Sequence, residues 1–330
     1  MNRNQDVIKI TLFLFTIVSS SSQIFADGNG GFAGGFLRVG LGARALGMGN
    51  AQVATADNGF GSYYNAASLP YVKRPVVSLS YSFMSLDRRF NYLGFSMPLE
   101  PVAGFSVGWI YSGVGDIRAY NSRGDDVGAI DHGIHGLSFG FGFQFVKMIQ
   151  QSGQLLNLPE NFLNIGIQMK YVREGLDDNA DFSYVGKGFG FDIGILLNPF
   201  RFLSLGYQVK DLGSKLESDT NNIFDRGTVL ENKFPIIQRA GFYYQTPLSL
   251  FYVAYDFEWS DAGDNKNHVG LEFRTNGEAL RLGYDDNHFT FGAGLNIGVS
   301  KKLDFVLDYA FVNSVVNEGT SHVFSWQFYF

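Results

Sequence analysis

Apolar and polar residues alternate with a period of two along most of the chain. In residues 320–330 the even positions carry Phe324, Trp326, Phe328 and Phe330, and the odd positions are mainly small or polar. Residues 137–145 repeat the pattern, with aromatic and leucine side chains alternating with serine, glycine and glutamine. Because successive side chains of a β-strand point to opposite faces, this alternation predicts strands with one apolar and one small polar face.

Fourteen segments of this kind are predicted as strands. They cover residues 76–84, 90–97, 102–111, 136–146, 162–172, 188–197, 202–210, 236–245, 248–258, 268–274, 279–284, 289–297, 303–311 and 320–330. An even number of antiparallel strands is typical of a bacterial transmembrane β-barrel.

The links between these strands alternate in length. Links of two to four residues alternate with long ones at 112–135, 173–187 and 211–235, and only the long link at 147–161 breaks the rule. Outer-membrane barrels have short periplasmic turns and longer extracellular loops. The pattern therefore predicts that both termini lie on the periplasmic side.

Composition indicates which face points outward. The chain of 330 residues has 41 glycines, 16% aromatic residues and only 17% charged residues. A soluble β-protein, the alternative, buries its bulky face and covers its surface with charges, of which this chain has few. The sequence therefore favours a membrane barrel with its apolar face outward and the polar face lining the lumen. The predicted lumen charges are Asp192, Glu272, Arg274, Arg281, Asp304 and Asp308.

Several functional classes are excluded or disfavoured by the same sequence. There is no cysteine, which excludes disulfide scaffolds and Cys-ligated metals, and the net charge of −6 disfavours nucleic acid as a partner. Residues 40–47 are glycine-rich but lack the G-x-G-x-x-G spacing. His132, His135 and the pair Asp285–Asp286 are assigned to solvated loops, not to metal sites. No catalytic motif, metal or cofactor is expected, so the protein is predicted not to be an enzyme.

The N-terminus has the pattern of an export signal. Arg3 and Lys9 precede a nine-residue apolar run at 10–18, and Ala26 is suited to a cleavage site. A transmembrane anchor is the alternative, but spanning a bilayer as a helix takes about 20 apolar residues. Residues 1–26 are therefore predicted to be a cleaved signal peptide, and the mature protein is predicted to reach the outer membrane of a diderm bacterium.

The aromatic end of the chain suggests how the protein is inserted. Phe324, Trp326, Phe328 and the C-terminal Phe330 lie on one face of the last predicted strand. This arrangement resembles the outer-membrane insertion signal that the barrel assembly machinery recognises, although an ordinary apolar strand end would have a similar sequence. The predicted partners are therefore this machinery and outer-membrane lipid.

Residues 35–69 contain the most distinctive motif, GFLRVGLGARALGMGNAQVATADNGFGSYYNAASL. This segment resembles the opening of the PorV/PorQ family, part of a larger set of barrels similar to the FadL fatty-acid channel. Ala66 and Ser68 depart from the Pro and Gly that the family usually has there. The positions that carry the resemblance most clearly are Gly40, Gly42, Arg44, Gly47, Gly49 and Asn65.

The resemblance implies a domain organisation. Residues 27–74 would fold into the lumen as a plug, and residues 75–330 would form the fourteen-strand barrel. Arg44 would then pair with a lumen carboxylate, and the candidates are Asp192, Glu272, Asp304 and Asp308.

Two functions and a neutral alternative follow from the resemblance. PorV-like proteins carry exported cargo proteins for type IX secretion and surface attachment, which would place docking surfaces in the long loops at 117–130, 176–185 and 216–231. A FadL-like conduit for hydrophobic small molecules is the alternative, and a purely structural barrel is the third possibility. Cargo binding is favoured here because the predicted lumen face is polar and offers no apolar track. The plug itself contains the apolar residues Phe32, Phe36, Leu37, Leu46, Met48 and Phe60.

Overall fold

The computed structural model describes residues 29–55, 59–154, 156–177, 183–221, 226–300, 303–313 and 319–330. The predicted signal peptide at 1–26 lies outside the described residues, as does Asp57 of the opening motif.

Fourteen antiparallel strands form a closed barrel. They are β1 (Val76–Phe83), β2 (Arg88–Leu99), β3 (Ala103–Tyr120), β4 (Asp126–Gln144), β5 (Leu163–Asp177), β6 (Ser183–Phe200), β7 (Leu203–Leu212), β10 (Ile237–Gln245), β11 (Phe251–Ser260), β12 (Asn265–Arg274), β13 (Glu278–Asp285), β14 (His288–Ser300), β15 (Leu303–Asn313) and β16 (Thr320–Tyr329). The ring closes because β1 pairs with both β2 and β16. The predicted fold class, an all-β antiparallel barrel of about fourteen strands, is confirmed.

The predicted alternation corresponds to the two faces of the wall. Along β13, residues from Glu278 to Asp285 are alternately exposed and buried, apart from half-buried Tyr284. The outward side chains are large and apolar around the ring, as Phe95, Ile167, Phe191 and Phe291 illustrate. An apolar outer face with a small polar inner face is the pattern of strands that meet lipid on one side.

The barrel has two unequal edges. The terminal edge carries the start of β1 and the C-terminus, and the opposite edge is called the loop edge here. Strands β3 to β6 contain 15 to 19 residues, whereas the other ten barrel strands contain 8 to 13. The wall is therefore tallest at the loop edge of β3–β6.

The prediction of a loop at 112–135 is wrong for most of that range, where the structure has β-strand. It forms the upper halves of β3 and β4, and the turn between them spans only residues 121–125. The predicted loop at 173–187 likewise forms strand up to Asp177 and again from Ser183. The apolar alternation ends near Tyr111, although backbone pairing continues beyond it. Alternation reports contact with lipid, so it stops where strands emerge into water.

Two smaller elements were also missed from the sequence. The predicted loop at 211–235 contains a hairpin of β8 (Lys215–Asp219) and β9 (Val229–Lys233), which pairs with β6 outside the ring. The long link that breaks the length rule begins with helix α3 (Phe145–Gln151) at the terminal edge. No helix among the described residues is long and apolar enough to cross a membrane.

Residues 29–55 and 59–74, called the N-terminal segment below, lie largely inside the ring. The segment contains two short α-helices, α1 (Ala43–Gly47) and α2 (Gly61–Tyr64), and two 3₁₀ turns at Gly35–Arg38 and Ala66–Tyr71. Helix α1 contacts β13–β16, while the turn at Ala66–Tyr71 contacts β2–β6. The segment therefore spans the interior from one part of the wall to another, and nearly all of residues 40–69 that are described are buried.

Candidate functional site

Inward glycines of the wall let the N-terminal segment approach the strands closely. A Cβ atom added at Gly283 would lie 2.1 Å from the Gly49 nitrogen, and one at Gly206 would lie 2.2 Å from the Val53 oxygen. One at Gly194 would lie 2.0 Å from the Asn65 side-chain oxygen. Any larger residue at these wall positions would occupy the space of the segment.

The glycines of the segment have a different role. Gly40, Gly42 and Gly49 have backbone φ angles of 90°, 83° and 60°. Residues other than glycine rarely adopt φ angles in this range. Gly47 has no such backbone constraint. A Cβ there would lie 2.9 Å from the Gly292 Cα on β14, so close packing requires glycine.

Asn65 ties the segment to the wall. Its amide nitrogen donates to the carbonyl oxygens of Val53 at 2.8 Å and Ile195 on β6 at 3.0 Å. Its side-chain oxygen accepts from the Ala67 nitrogen at 3.0 Å and thereby caps the turn at Ala66–Tyr71. The fully buried amide satisfies backbone groups that water cannot reach.

Arg44 points from α1 to Glu272 on β12. The Arg44 Nε atom lies 3.1 Å from Glu272 Oε1, and its second terminal nitrogen lies 3.1 Å from Oε2. Glu272 is one of the four carboxylates that the sequence offered as partners. Such a two-pronged contact is among the strongest charged hydrogen bonds in proteins, and both side chains are buried.

Glu272 is shared by three arginines. Arg281 Nε lies 2.8 Å from Glu272 Oε1, and Arg274 lies 2.5 Å from Oε2. Arg281 also contacts Asp308 Oδ1 at 2.8 Å, which links β12, β13 and β15 to the segment. We call Arg44, Glu272, Arg274, Arg281 and Asp308 the arginine cluster.

The remaining two predicted lumen charges lie elsewhere. Asp304 pairs with Arg74 at the terminal edge. Asp192 on β6 lies 2.7 Å from Lys170 Nζ, which also contacts Asp211. All six predicted charges are on inward positions of the strands, but the structure separates them into three groups.

A further set of inward charges holds the segment at β10–β13 and was not singled out from the sequence. Asp256 accepts hydrogen bonds from the backbone nitrogens of Gln52 at 2.7 Å and Val53 at 2.8 Å. Arg239 donates to the Asn50 carbonyl at 2.9 Å and pairs with Glu258. The alternation of β10 and β11 could have identified Arg239, Asp256 and Glu258, because all three occupy strand positions that point into the lumen.

Asp285 was wrongly assigned to a loop. It is the last residue of β13, is buried, and accepts hydrogen bonds from Asn50 and from His268 Nδ1, the latter at 2.8 Å. The assignment failed because two adjacent aspartates suggest a turn. Asp285 can be buried in a strand because Asn50 of the segment donates a hydrogen bond to its carboxylate.

His132 and His135 were also wrongly placed in a loop. Both lie on β4, where their separation of three residues points them to opposite faces. His132 pairs with Glu174 at 2.8 Å, and His135 stacks on Trp109 on the outer face. Among the described residues, no group of three potential metal ligands occurs.

The lumen is not uniformly polar, contrary to the expectation from the strand pattern. Its half towards the loop edge holds a buried cluster, the inner apolar cluster, formed by the segment, β2, β3, β5, β8 and the residue after β9. Its members are Phe36, Leu37, Leu41, Ala45, Phe60, Tyr63, Tyr64, Phe90, Tyr92, Ile110, Val172, Leu216 and Phe234. Of the apolar plug residues singled out from the sequence, Leu46 and Met48 pack in separate clusters and Phe32 is exposed.

Two tyrosines position the segment within this cluster. The Tyr63 hydroxyl donates to the Leu37 carbonyl at 2.7 Å, and the Leu41 nitrogen donates to the Tyr64 hydroxyl at 2.8 Å. Burial raises the pKa of both phenols well above the ordinary value. Both hydroxyls therefore stay protonated and remain hydrogen-bond donors at neutral pH.

Two cavities lie on either side of the segment. A cavity of about 20 Å³ adjoins the inner apolar cluster, with Leu37, Tyr63 and Tyr92 among its lining residues. A larger one of about 370 Å³ lies at the terminal edge, lined by members of the arginine cluster and by Lys73 and Glu278. Both cavities are lined in part by the N-terminal segment, and the smaller one is also lined by the buried charges Lys170, Asp192 and Lys210.

The predicted insertion residues are at the outer surface of the terminal edge. Phe324, Trp326 and Phe328 are on the outward positions of β16, and Phe330 follows the strand as its exposed last residue. The rings of Phe324 and Trp326 stack at 6.3 Å. Recognition of this surface by the barrel assembly machinery remains a prediction.

Comparisons with known proteins support the architecture. No family model and no curated protein matches the sequence. Among solved structures, the Ralstonia pickettii toluene transporter TbuX matches with a TM-score of 0.61 at 12% identity, covering 88% of this chain and 98% of that chain. The Pseudomonas putida toluene transporter TodX matches with a TM-score of 0.57 at 13% identity, over 88% and 96% of the two chains.

A Pseudomonas aeruginosa FadL homologue gives a TM-score of 0.55 at 10% identity and covers 87% of this chain and 98% of that chain. Identities this low establish a common fold and nothing finer, and none of these structures bears on the resemblance to PorV and PorQ. The chain has the fold of the FadL-type barrels.

Proposed function

We propose that the protein spans the outer membrane and conducts hydrophobic small molecules from the loop edge to the terminal edge. The observation that carries this proposal is the inner apolar cluster, which offers an apolar environment inside a barrel whose inward strand residues are mainly small, polar or charged. Small-molecule sites are typically apolar and aromatic with a few polar groups, as this cluster is. The similarity in fold to the toluene transporters TbuX and TodX supports the same choice. The role is non-enzymatic and needs no cofactor.

The outer surface supports a place in the membrane. Large apolar side chains such as Phe139, Phe191 and Leu282 are well exposed at outward strand positions. If so many apolar side chains faced water, the protein molecules would associate with one another, whereas lipid tails solvate such side chains. On this proposal the terminal edge faces the periplasm, because most turns at that edge are short, as periplasmic turns of outer-membrane barrels are.

The substrate would be a small, largely apolar molecule, and a monoaromatic compound fits the ring-rich cluster best. The rings of Phe60 and Tyr92 lie 5.5 Å apart, and those of Tyr63 and Tyr64 lie 4.9 Å apart. Aromatic rings favour offset and edge contacts at such spacings. A substrate ring would replace one of these intramolecular contacts.

Passage requires the N-terminal segment to move. The cavity beside the cluster, about 20 Å³, is too small for an organic molecule, and segment side chains fill the rest. Beyond the segment, the cavity at the terminal edge provides an exit of about 370 Å³. On this proposal the segment acts as the plug, and its contacts with Glu272, Asp256 and Asp285 hold it closed.

A disulfide between the segment and the wall tests this directly. The Ala43 nitrogen lies 3.1 Å from Ser325 Oγ on β16, and the natural chain has no cysteine. We expect the double variant A43C/S325C, when oxidised, to lose uptake of a monoaromatic probe such as labelled toluene, and to regain it on reduction.

The matched control is S80C/S325C, because Ser80 and Ser325 face each other within the wall and a bridge there leaves the segment free. This control should transport in both redox states. Undiminished uptake by the oxidised A43C/S325C protein, with the bridge verified by mass, would contradict a moving segment.

Cargo binding of the PorV/PorQ type is the second candidate, and the motif at 35–69 is the observation that favours it. The surface available for docking is the tall loop edge of β3–β6 with the β8–β9 hairpin. Single cysteines replacing Asp125 in the β3–β4 turn or Asp219 at the end of β8 would carry a crosslinker. A secreted protein bearing a type IX sorting domain should be trapped there, but not from a cysteine replacing Arg201 at the opposite edge. Equal trapping from both edges, or none, would contradict this candidate.

A further inference from the structure

The outer face of β2–β6 changes its chemistry sharply at the loop edge. Antiparallel register places Trp109, Leu137, Tyr171 and Phe189 side by side in one outward row across four strands. Above this row the outer face of these strands carries fewer large apolar side chains. Tryptophan and tyrosine commonly lie at the level where a membrane meets water.

The next outward row, called the basic row here, carries two cations beside a tyrosine and a histidine. It consists of Tyr111, His135, Arg173 and Lys187, in register across the same strands. Arg173 and Lys187 are exposed and directly opposite each other, a pairing of like charges that destabilises a sheet. Neither forms an ion pair with any residue that the structure describes. Glu217 on β8 is paired with Lys187 in the sheet, but its carboxylate forms an ion pair with Lys215, with Oε1 2.5 Å from the Lys215 Nζ atom.

A row of glycines follows above the basic row. Gly113, Gly133 and Gly175 are in register on β3, β4 and β5, and exposed Arg89 on β2 lies opposite Gly113. A Cβ at Gly175 would have a single heavy atom within 4 Å, the Gly133 oxygen at 3.9 Å, so the backbone there faces open space. Asp131 and Asp177 form the outward row beyond the glycines. The depression is therefore confined to Gly175, because the Tyr111 side chain lies against Gly113 and Gly133. It is bordered by cations on one side and by Asp131 and Asp177 on the other.

We propose that this surface binds a phosphorylated glycolipid of the outer leaflet. Its acyl chains would lie along the row of Trp109, Leu137 and Tyr171, its phosphates would meet the cations, and its sugar would cover Gly175. The inference rests on the outer-membrane location in the proposed function, but not on transport.

The spacing of the cations indicates a headgroup with more than one phosphate. Arg89 and Arg173 are on strands separated by three strand spacings, roughly 14 Å at the usual distance between strands. Two phosphates on one sugar headgroup would give each arginine its own phosphate, without both side chains extending towards a single point between them. Guanidinium groups bind phosphate in a two-pronged geometry, which suits arginine at both ends of the patch.

Binding of a defined lipid to the purified barrel in detergent tests this inference. Native mass spectrometry would count bound bisphosphorylated lipid A for the wild type and for R173Q/K187Q. We expect about tenfold weaker binding for the variant, in line with the loss of one charged hydrogen bond, and substantial recovery in R173K/K187R. Filling the depression with G175V should weaken binding without changing any charge.

The control is R123Q, which removes an equally exposed arginine from the β3–β4 turn outside the patch. Resistance to unfolding in detergent at room temperature shows that each variant retains its barrel. Equal affinity of wild type and R173Q/K187Q, equal affinity for dephosphorylated lipid A or phosphatidylglycerol, or full displacement by millimolar inorganic phosphate would each overturn the inference.

Toluene uptake measured on the same variants separates this inference from the proposed function. Lipid selectivity without uptake by the wild type would refute transport alone. Uptake without lipid selectivity would refute the lipid site alone.

Discussion

At the scale of single residues, the contact between the N-terminal segment and the wall depends on size at some positions and on charge at others. Gly283 gives the segment room, since a Cβ there would lie 2.1 Å from a backbone atom of Gly49. Arg44 of the segment and Glu272 of the wall attract each other electrostatically at a separate point of contact. Close packing and pairing of buried charge are separate requirements, so they can be tested separately.

We expect loss of Glu272 to be more damaging than loss of Arg44. R44M leaves Glu272 with Arg274 and Arg281, whereas E272Q leaves three arginines around a neutral group. Leaving a buried charge unpaired costs about 3–5 kcal/mol, so E272Q should approach this value and R44M should fall clearly below it. The measurement is the free energy of unfolding in urea with detergent. Equal stability of R44M and the wild type, in both unfolding and assembly, would show that the contact is not needed.

We also expect G283A to displace the segment. The added methyl group meets backbone, which cannot rotate away, so the loss should be at least the 1–3 kcal/mol usual for overpacking. G298A on β14 is the control, because a Cβ there has only Asp304 Oδ1 within 4 Å, at 3.7 Å. Increased accessibility of the segment to protease in G283A, and not in G298A, would accompany the loss. Identical unfolding curves for the two variants would contradict the close-packing argument.

At the scale of the strand, the two-residue alternation of apolar and polar residues identified every barrel strand, but it underestimated the length of several strands. All fourteen predicted segments overlap an observed strand, and most ends agree within about three residues. The large errors are the upper halves of β3, β4, β5 and β6, where both faces meet water or the lumen. There the backbone still hydrogen-bonds to its neighbours, but no lipid requires one face to be apolar.

The C-terminal strand offers a prediction at this scale. If its aromatic end is an insertion signal, F330S should lower the yield of assembled barrel several-fold in cells without changing the stability of the protein that does assemble. F289S is the control, because Phe289 is a similarly exposed outward phenylalanine, 61% against 56%, within β14. The folded fraction is measured from heat-modifiable migration on gels. Equal yields for F330S and F289S would show that the terminal position carries no special signal.

At the scale of the whole molecule, the segment that fills the interior also joins distant parts of the ring. The segment contacts β13–β16 through α1 and β2–β6 through the turn at Ala66–Tyr71, so it links parts of the wall that are far apart in sequence. Asp256 accepts hydrogen bonds from the backbone nitrogens of Gln52 and Val53, and the Asn65 side chain donates to the Val53 carbonyl oxygen. The A43C/S325C bridge therefore tests whether the molecule functions as one rigid body or as a wall with a movable interior.

The sequence by itself determined the barrel, its strand number and the side of the wall that each strand residue faces. It did so because a strand between lipid and lumen must alternate, and alternation is a local property of the chain. The resemblance of the opening motif to the PorV/PorQ family implied that Arg44 lies in the lumen, and the inward positions of the predicted strands supplied its candidate partners.

Only the tertiary structure decided how the inward residues combine. The choice of Glu272 for Arg44, the burial of Asp285 and the use of Asp256 as a backbone acceptor depend on where the segment lies. The inner apolar cluster depends on it as well, because Phe36, Phe60 and Tyr63 come from the segment and Tyr92 and Ile110 come from the wall. These contacts join residues tens to hundreds of positions apart, so no local pattern in the sequence records them.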